Sequence, residues 1–126
     1  MKHILIFENF NEKLTLYHGT CENNAKQLME NGWIPNSGGI GSNLGQSKYL
    51  YLTSGYEDAL WFAEEKGCNT VVQIKDIPIN YLKPDPEDES GYTMNELLNR
   101  MEDSGWPSKF ILITSLPPSY FSIKQN

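Results

Sequence analysis

The sequence predicts an α+β domain, and three observations carry that prediction. Several short runs alternate polar and apolar residues, which is the pattern of half-buried strands. Other segments repeat apolar residues at helical spacing. The two kinds of segment do not alternate regularly, which argues against a parallel β-α-β sheet. With 126 residues, 39% of them hydrophobic and 21% charged, the chain matches one globular domain over residues 1–126.

The first strand and the first helix follow one another near the N-terminus. Residues 13–18 alternate polar and apolar side chains and predict a strand. Thr20 is the expected N-cap of the following helix, which ends at Asn31-Gly32. Residues 35–47 are rich in Gly, Ser and Asn and predict a loop, of a length that is usually functional or mobile.

A second strand and helix come next. Residues 48–53 predict a strand with Tyr49 and Tyr51 on one face. Ser54 and Glu57 have the spacing of a capping box, in which each side chain bonds the backbone N–H of the other residue. A helix with a small apolar face is therefore expected directly after this strand.

The remaining segments supply one more helix and three strands. Residues 70–75 predict a strand, and a turn rich in proline and acidic residues follows it. Residues 93–103 repeat apolar side chains at i, i+3, i+4 and i+7, which predicts an amphipathic helix. Residues 109–114 and 120–124 predict two late strands, separated by a pair of prolines.

Negative charge is concentrated in two segments, and the formal net charge is -6 at pH 7. Residues 57–66 hold four acids against one lysine, and residues 85–103 hold seven acids against one arginine. No basic stripe is present, which argues against nucleic acid as a partner. No apolar stretch is long enough to cross a membrane. The N-terminal residues lack a signal-peptide core, so a cytoplasmic location is expected.

The cysteines and the acidic run do not predict a metal site. Cys21 and Cys68 are too few for a disulfide framework or a thiolate metal site, and we expect two reduced, partly buried thiols. The acidic run at residues 85–89 lacks the spacing of an EF-hand and suits a solvated loop.

The first candidate site lies at the exit of the first predicted strand, at Tyr17-His18-Gly19-Thr20. A histidine there can hydrogen-bond a ligand hydroxyl, and the following glycine lets a flat ligand approach the backbone. The alternative is an ordinary histidine at a strand end beside a turn glycine.

Aromatic side chains form the second candidate site. Tyr49, Tyr51 and Trp61 are able to stack on a planar ring such as nicotinamide or a nucleic-acid base. The alternative is that these residues are part of the usual aromatic composition of strands and cores.

Taken in order, the motifs resemble a known family. L-Y-H-G-T, a helix that ends in N-G-W-I-P, a glycine-rich loop, Y-L-Y-L-T leading into E-D-A-L-W-F-A, and T-V-V-Q-I follow each other along the chain. This order resembles the ADP-ribosyltransferase fold of the diphtheria-toxin and poly(ADP-ribose) polymerase type, over about residues 14–123. The resemblance implies two small, bent sheets and three helices around a cleft that holds NAD as a substrate.

The resemblance also implies roles for individual residues. His18 would bond the adenosine-ribose hydroxyl, the backbone of Gly19 would hold the nicotinamide carboxamide, and Tyr51 would stack on the nicotinamide ring. His18 and Tyr51 are thus the predicted catalytic residues. Trp61 lies near the place of a second stacking aromatic, and residues 38–47 would line the adenosine side. The predicted NAD-binding set is His18, Gly19, Thr20, Tyr51, Thr53 and Trp61.

The sequence departs from the family at one catalytic position. The family takes a carboxylate from a Glu at the start of a late strand, where it stabilises the cation formed as nicotinamide leaves. Here that position falls on Lys109 or Ser108, and a lysine has the wrong sign of charge for this role. The candidate substitutes are Asp85, Glu102 and Asp103.

Three functional readings follow from the sequence. An active protein would transfer ADP-ribose to a protein acceptor or hydrolyse NAD. H-G-T and the late L-P-P-S-Y-F are also similar to the NAD-dependent RNA 2′-phosphotransferases, which need arginines to hold an RNA phosphate, whereas this chain has only Arg100. The third reading is a non-catalytic, acidic interaction or inhibitor module that docks on a basic protein. The opening M-K-H-I-L-I-F-E-N-F-N-E resembles small tailed-phage proteins, which would place the target in a host cytoplasm.

Overall fold

The computed structural model describes residues 12–35, 49–87, 91–103 and 107–124. The described elements are β1 (Lys13–Thr20), α1 (Glu22–Asn31), β2 (Leu50–Thr53), α2 (Tyr56–Glu65), β3 (Thr70–Pro78), β4 (Leu82–Pro84), α3 (Met94–Asp103), β5 (Lys109–Leu112) and β6 (Phe121–Ile123). Short 3-10 helices at Ile79–Tyr81 and Pro118–Tyr120 precede β4 and β6. The α+β class and the three helices expected from the sequence are confirmed.

The strands of the described segments form one sheet, in the order β4-β5-β2-β1-β3-β6, and every pair of neighbours is antiparallel. β1 and β3 are paired along almost their whole length. In contrast, the described residues of β1 and β2 are in register at a single pair, Tyr17 and Thr53. The prediction of two small sheets is therefore wrong, because this one pair joins both halves into a continuous six-stranded sheet.

Two strands differ from the sequence prediction in ways that have a physical cause. β3 continues to Pro78 because a bulge, with Asp76 at φ 59°, restores its pairing with the start of β1. β4 was not predicted from the sequence, since its three residues are too few to show an alternating pattern. It pairs with β5 and thereby forms one edge of the sheet.

The helix caps also differ from the prediction. The N-cap of α1 is Cys21, one residue after Thr20. The predicted capping box before α2 is not formed, because Ser54 accepts a hydrogen bond from the backbone N–H of Ser108 at 2.8 Å instead. A capping box does form at α3, where Thr93 and Glu96 each bond the backbone N–H of the other residue.

The helices cover both faces of the sheet. Leu16 of β1 belongs to the main core cluster, to which α1 and α3 contribute Leu28 and Leu97. Side chains alternate along a strand, and the Cβ position of Gly19 points at the backbone of Ala59 in α2. α2 therefore lies on the opposite face from α1 and α3. Among the described helices, none is both long and apolar enough to span a membrane.

A disulfide bond joins Cys21, at the end of β1, to Cys68, just after α2. Their Cα atoms lie 5.1 Å apart, although 47 positions separate them in the sequence. The expectation of two reduced thiols is thus wrong. Sequence spacing alone did not reveal the pairing, because it depends on α2 packing directly against β1.

Candidate functional site

A cleft of about 250 Å³ opens on the α2 side of the sheet, beside the junction of β1 and β2. Because these strands are in register only at Tyr17 and Thr53, they leave room beyond that pair. The cleft is lined by Tyr17, His18, Gly19, Tyr51, Leu52, Thr53, Phe62, Lys66, Asp85, Glu87 and Lys109. The structure thus brings four of the six predicted NAD-binding residues to one cleft, namely His18, Gly19, Tyr51 and Thr53.

His18 bridges the two strands through its side chain. Its Nδ1 lies 2.8 Å from the carbonyl oxygen of Tyr51, so Nδ1–H must be the donor. Burial lowers the pKa of the imidazole to about 4, the nearby Lys66 charge acts in the same direction, and the Tyr51 carbonyl opposes the shift. The ring is therefore neutral at neutral pH, and its Nε2 has a lone pair to accept a hydrogen bond.

Gly19 is required by the packing of α2. A Cβ atom at this position would nearly coincide with the carbonyl oxygen of Ala59, at 1.8 Å, and would lie 2.9 Å from the amide nitrogen of Ala63. The predicted reason for this glycine, the approach of a ligand, is thus joined by a second reason within the fold. Its carbonyl oxygen also accepts a hydrogen bond from Lys66 Nζ at 3.2 Å.

Two aromatic side chains on neighbouring strands line the cleft. Tyr17 makes an edge contact with Tyr56 of α2, with ring centroids 6.1 Å apart. The hydroxyl of Tyr51 donates to Glu87 Oε2 at 3.3 Å. Tyr49, the other tyrosine of the predicted pair, lies just before β2 and is not among the described residues that line the cleft.

The two predicted threonines are buried and serve the local structure. Thr20 accepts a hydrogen bond from Asn24 Nδ2 at 3.3 Å and is not among the described residues of the cleft lining. Thr53 donates its hydroxyl proton to Asp58 at 3.0 Å and accepts the backbone N–H of Gly55. Thr53 borders the cleft, but its hydroxyl is already engaged at the start of α2.

Phe62, and not the predicted Trp61, is the aromatic residue of α2 found among the described residues that line the cleft. Trp61 is 53% exposed on α2 and is not among the described lining residues, whereas Phe62 lines the cleft. The two rings meet edge to face, with centroids 5.1 Å apart. The helical register explains this difference: adjacent residues point about 100° apart, and the ring that faces the sheet belongs to Phe62.

Four charged side chains of the cleft were not in the predicted binding set. Lys66 follows α2, and partial burial of its ammonium lowers its pKa. Lys109 begins β5, and its Nζ lies 5.4 Å from the centre of the Phe62 ring. Asp85 and Glu87 follow β4, and Asp85 Oδ1 accepts the backbone N–H of Glu87 at 2.8 Å. The sequence signal for this pair is the acidic run at residues 85–89, whose composition predicts a solvated loop.

The structure also places the residues considered for the missing carboxylate. Lys109 lines the cleft, whereas the hydroxyl of the buried Ser108 donates to the carbonyl of Leu97. Asp85 lies in the cleft, with Glu87 beside it. The side chains of Glu102 and Asp103, like all of residues 38–47, are outside the described part of the chain.

The single arginine of the sequence lies elsewhere. Arg100 of α3 lies 4.7 Å from the centre of the Tyr92 ring and is not among the described residues that line the cleft. The described residues also contain no group of three or more His, Cys, Asp and Glu side chains suited to a metal ion. Comparison with protein-family models, with curated proteins and with solved structures gives no match to this chain.

Proposed function

We propose that this chain is an NAD-binding domain of the ADP-ribosyltransferase type, which transfers ADP-ribose to a protein acceptor. The observation that carries the proposal is the neutral His18, fixed between β1 and β2 by the Tyr51 carbonyl in a cleft that Tyr51 itself lines. Its Nε2 offers one acceptor of fixed direction for a ribose hydroxyl. This is the role that the family resemblance implies for His18.

The size and lining of the cleft support the nicotinamide end of NAD as its occupant. Ligand pockets usually enclose about 300–1,000 Å³, so a cleft of about 250 Å³ suits one end of a dinucleotide. The rings of Tyr17, Tyr51 and Phe62 provide flat, apolar surface for a heteroaromatic ring. Lys66 adds positive charge, which suits the phosphates of such a ligand.

In the proposed reaction, the bond between ribose C1′ and the nicotinamide nitrogen breaks, and the electron pair leaves with nicotinamide. A nucleophile of the acceptor protein then bonds to C1′ and loses its proton to solvent. The positive charge on the ribose needs a nearby carboxylate. Of the two carboxylates among the described lining residues, Glu87 is the better candidate because it already bonds Tyr51, while Asp85 is engaged by the Glu87 backbone.

Calorimetry with NAD, combined with measurement of free nicotinamide over hours, tests this function. His18→Asn is the informative variant, because its amide N–H still reaches the Tyr51 carbonyl while the acceptor at Nε2 is lost. We expect its NAD affinity to fall by roughly 5- to 30-fold, the cost of leaving one buried polar group unpaired. Trp61→Ala, on the exposed face of α2, is the matched control and should bind NAD as the parent does.

Glu87→Gln separates binding from catalysis. If Glu87 stabilises the ribose cation, this variant should keep NAD binding and lose roughly 10²- to 10³-fold in the rate of nicotinamide release. Binding by the parent without any release would instead favour the non-catalytic module, for which the ammonium of Lys109 in the cleft is the supporting observation. Absence of NAD binding by the parent would refute the proposed function.

A further inference from the structure

One face of α2 points into solvent and combines an indole ring with three carboxylates. It consists of Glu57, Trp61, Glu64 and Glu65, and we call it the Trp61 face. These residues lie at positions i, i+4, i+7 and i+8, so they form one continuous stripe along the helix. All four are exposed, and Trp61 has 53% of its surface accessible.

The packing of α2 explains why this face is left open. The helix contacts the sheet through the small residues Ala59 and Ala63, both fully buried. Its backbone approaches β1 so closely that only a glycine fits at position 19. The helix is therefore anchored without any contribution from the Trp61 indole to the main core cluster.

Within the described part of the chain, no ion pair to a lysine or arginine is found for the carboxylates of this face. Lys66 follows the helix directly, but its Nζ is directed inward to the carbonyl of Gly19, at 3.2 Å. The Trp61 face thus presents three carboxylates around one large aromatic ring. Such a ring is the best aromatic partner for a cation, and arginine is the cation that also pairs bidentately with carboxylates.

We propose that the Trp61 face docks a basic protein surface, with an arginine guanidinium on the Trp61 indole and paired with Glu57 or Glu64. Tryptophan and arginine are the residues that most often dominate the binding energy of interfaces, and surrounding charges speed association. The Trp61 face lies next to the cleft, because the ring of Phe62 contacts Trp61 and also lines the cleft wall. The inference goes beyond the proposed function and does not depend on NAD binding.

Binding of short peptides to the full chain tests this proposal. The probes are a capped peptide with arginines separated by glycines, the same peptide with lysines, and the same peptide with neutral citrullines. Calorimetry gives the affinity, and the indole N–H signal of Trp61 in NMR, assigned by its loss in Trp61→Ala, reports the site. We expect the arginine peptide to bind more tightly than the lysine peptide, and the citrulline peptide not to bind.

Variants distinguish docking from general attraction to an acidic protein. Trp61→Ala should weaken the arginine peptide roughly 2- to 5-fold, the range of an exposed cation–π contact. Glu57→Gln with Glu64→Gln should weaken it about 3- to 10-fold. The matched control is Glu12→Gln with Glu30→Gln, which removes the same charge from exposed positions outside α2 and should have no effect beyond that of net charge.

Three results would overturn the proposal. The first is no binding of the arginine peptide at low ionic strength. The second is an equal loss of affinity in the control pair of glutamates, which would show attraction without a site. The third is an unchanged affinity in Trp61→Ala together with equal binding of the lysine and arginine peptides. These measurements are made without NAD. Their outcome therefore does not affect the proposed function, which is tested by NAD binding and nicotinamide release.

Discussion

The two walls of the cleft are held in place by different kinds of interaction. The first wall is the end of β1, from Tyr17 to Gly19, with α2 packed on it. It is fixed by a backbone contact that admits only Gly19, and by the Cys21–Cys68 disulfide beside it. The second wall comprises Tyr51 of β2, Lys109 of β5, and Asp85 and Glu87 after β4. It is held by strand pairing, while its charged side chains make long or exposed contacts.

The residues that fix the position of the site are therefore different from the residues that set the charge of the cleft. On the first wall, Gly19 and the Cys21–Cys68 disulfide hold α2 against the end of β1, so substitutions there should cost stability. On the second wall, the side chains that set the charge of the cleft point away from the core, and their substitution should change chemistry with little effect on folding.

The largest effect is expected for Gly19→Ala. The new methyl group would overlap the carbonyl oxygen of Ala59, and both partners are backbone, which has no alternative rotamer. We expect a loss of about 5 kcal/mol in the free energy of unfolding, or no folding at all. Urea unfolding followed by circular dichroism measures this loss.

Gly55→Ala is the matched control for that prediction. Gly55 has an ordinary φ of -110°, and a Cβ there would meet the Pro107 side chain at 3.2 Å. Its cost should stay within about 1 kcal/mol. If Gly19→Ala unfolded at the same urea concentration as the parent, the first wall would not be fixed as we describe.

Removing the disulfide should have the next largest effect. In the chain-entropy view, a bond that closes a loop of 47 residues stabilises a protein by roughly 4 kcal/mol. Cys21→Ala with Cys68→Ala should lower the free energy of unfolding by that amount. Adding a thiol reductant to the parent should have a similar effect, whereas the double variant should not respond to reductant. If reductant left the free energy of unfolding of the parent unchanged, and the parent had two thiols that react with a thiol reagent, the disulfide bond would be refuted.

The same contrast explains what the sequence could predict. The amphipathic pattern of α3 and the alternation in β1 depend on local spacing, and both elements lie where the spacing placed them. Three features depend on how α2 lies against β1: the disulfide, the role of Gly19 in packing and the place of Phe62 in the cleft. That arrangement is set by contacts between distant segments, so no local pattern contains it.

The site shows the same limit. The Y-H-G motif of β1 offers His18 and Gly19 as a candidate ligand site, because a strand end beside a glycine is a local feature. Asp85 and Glu87 lie in the cleft because they directly follow β4. This strand pairs with β5 over only three residues. A strand this short leaves no pattern in the sequence, and its acidic neighbours therefore had the composition of a solvated loop.

His18 should make stability depend on pH. Its pKa in the folded protein is about 4, below the usual 6.5, so the unfolded chain binds the proton more readily between these values. Stability from this group is complete above about pH 6.5 and falls by roughly 2–3 kcal/mol as the pH drops towards 4. Unfolding measured from pH 4 to 8 should show a flatter profile for His18→Asn than for the parent. Parallel profiles would mean that the imidazole is not buried as a neutral ring.

The smallest effect on stability is expected for Lys109→Met, on the second wall. The substitution removes a cation over the Phe62 ring and keeps the aliphatic stem, so the free energy of unfolding should change by less than about 1 kcal/mol. Nicotinamide release should rise, because a positive charge beside the ribose cation opposes its formation. Lys83→Met, on the exposed side of β4, is the control and should alter neither quantity. A large loss of stability in Lys109→Met would show that the second wall, like the first, is a structural element whose charges are fixed by the fold.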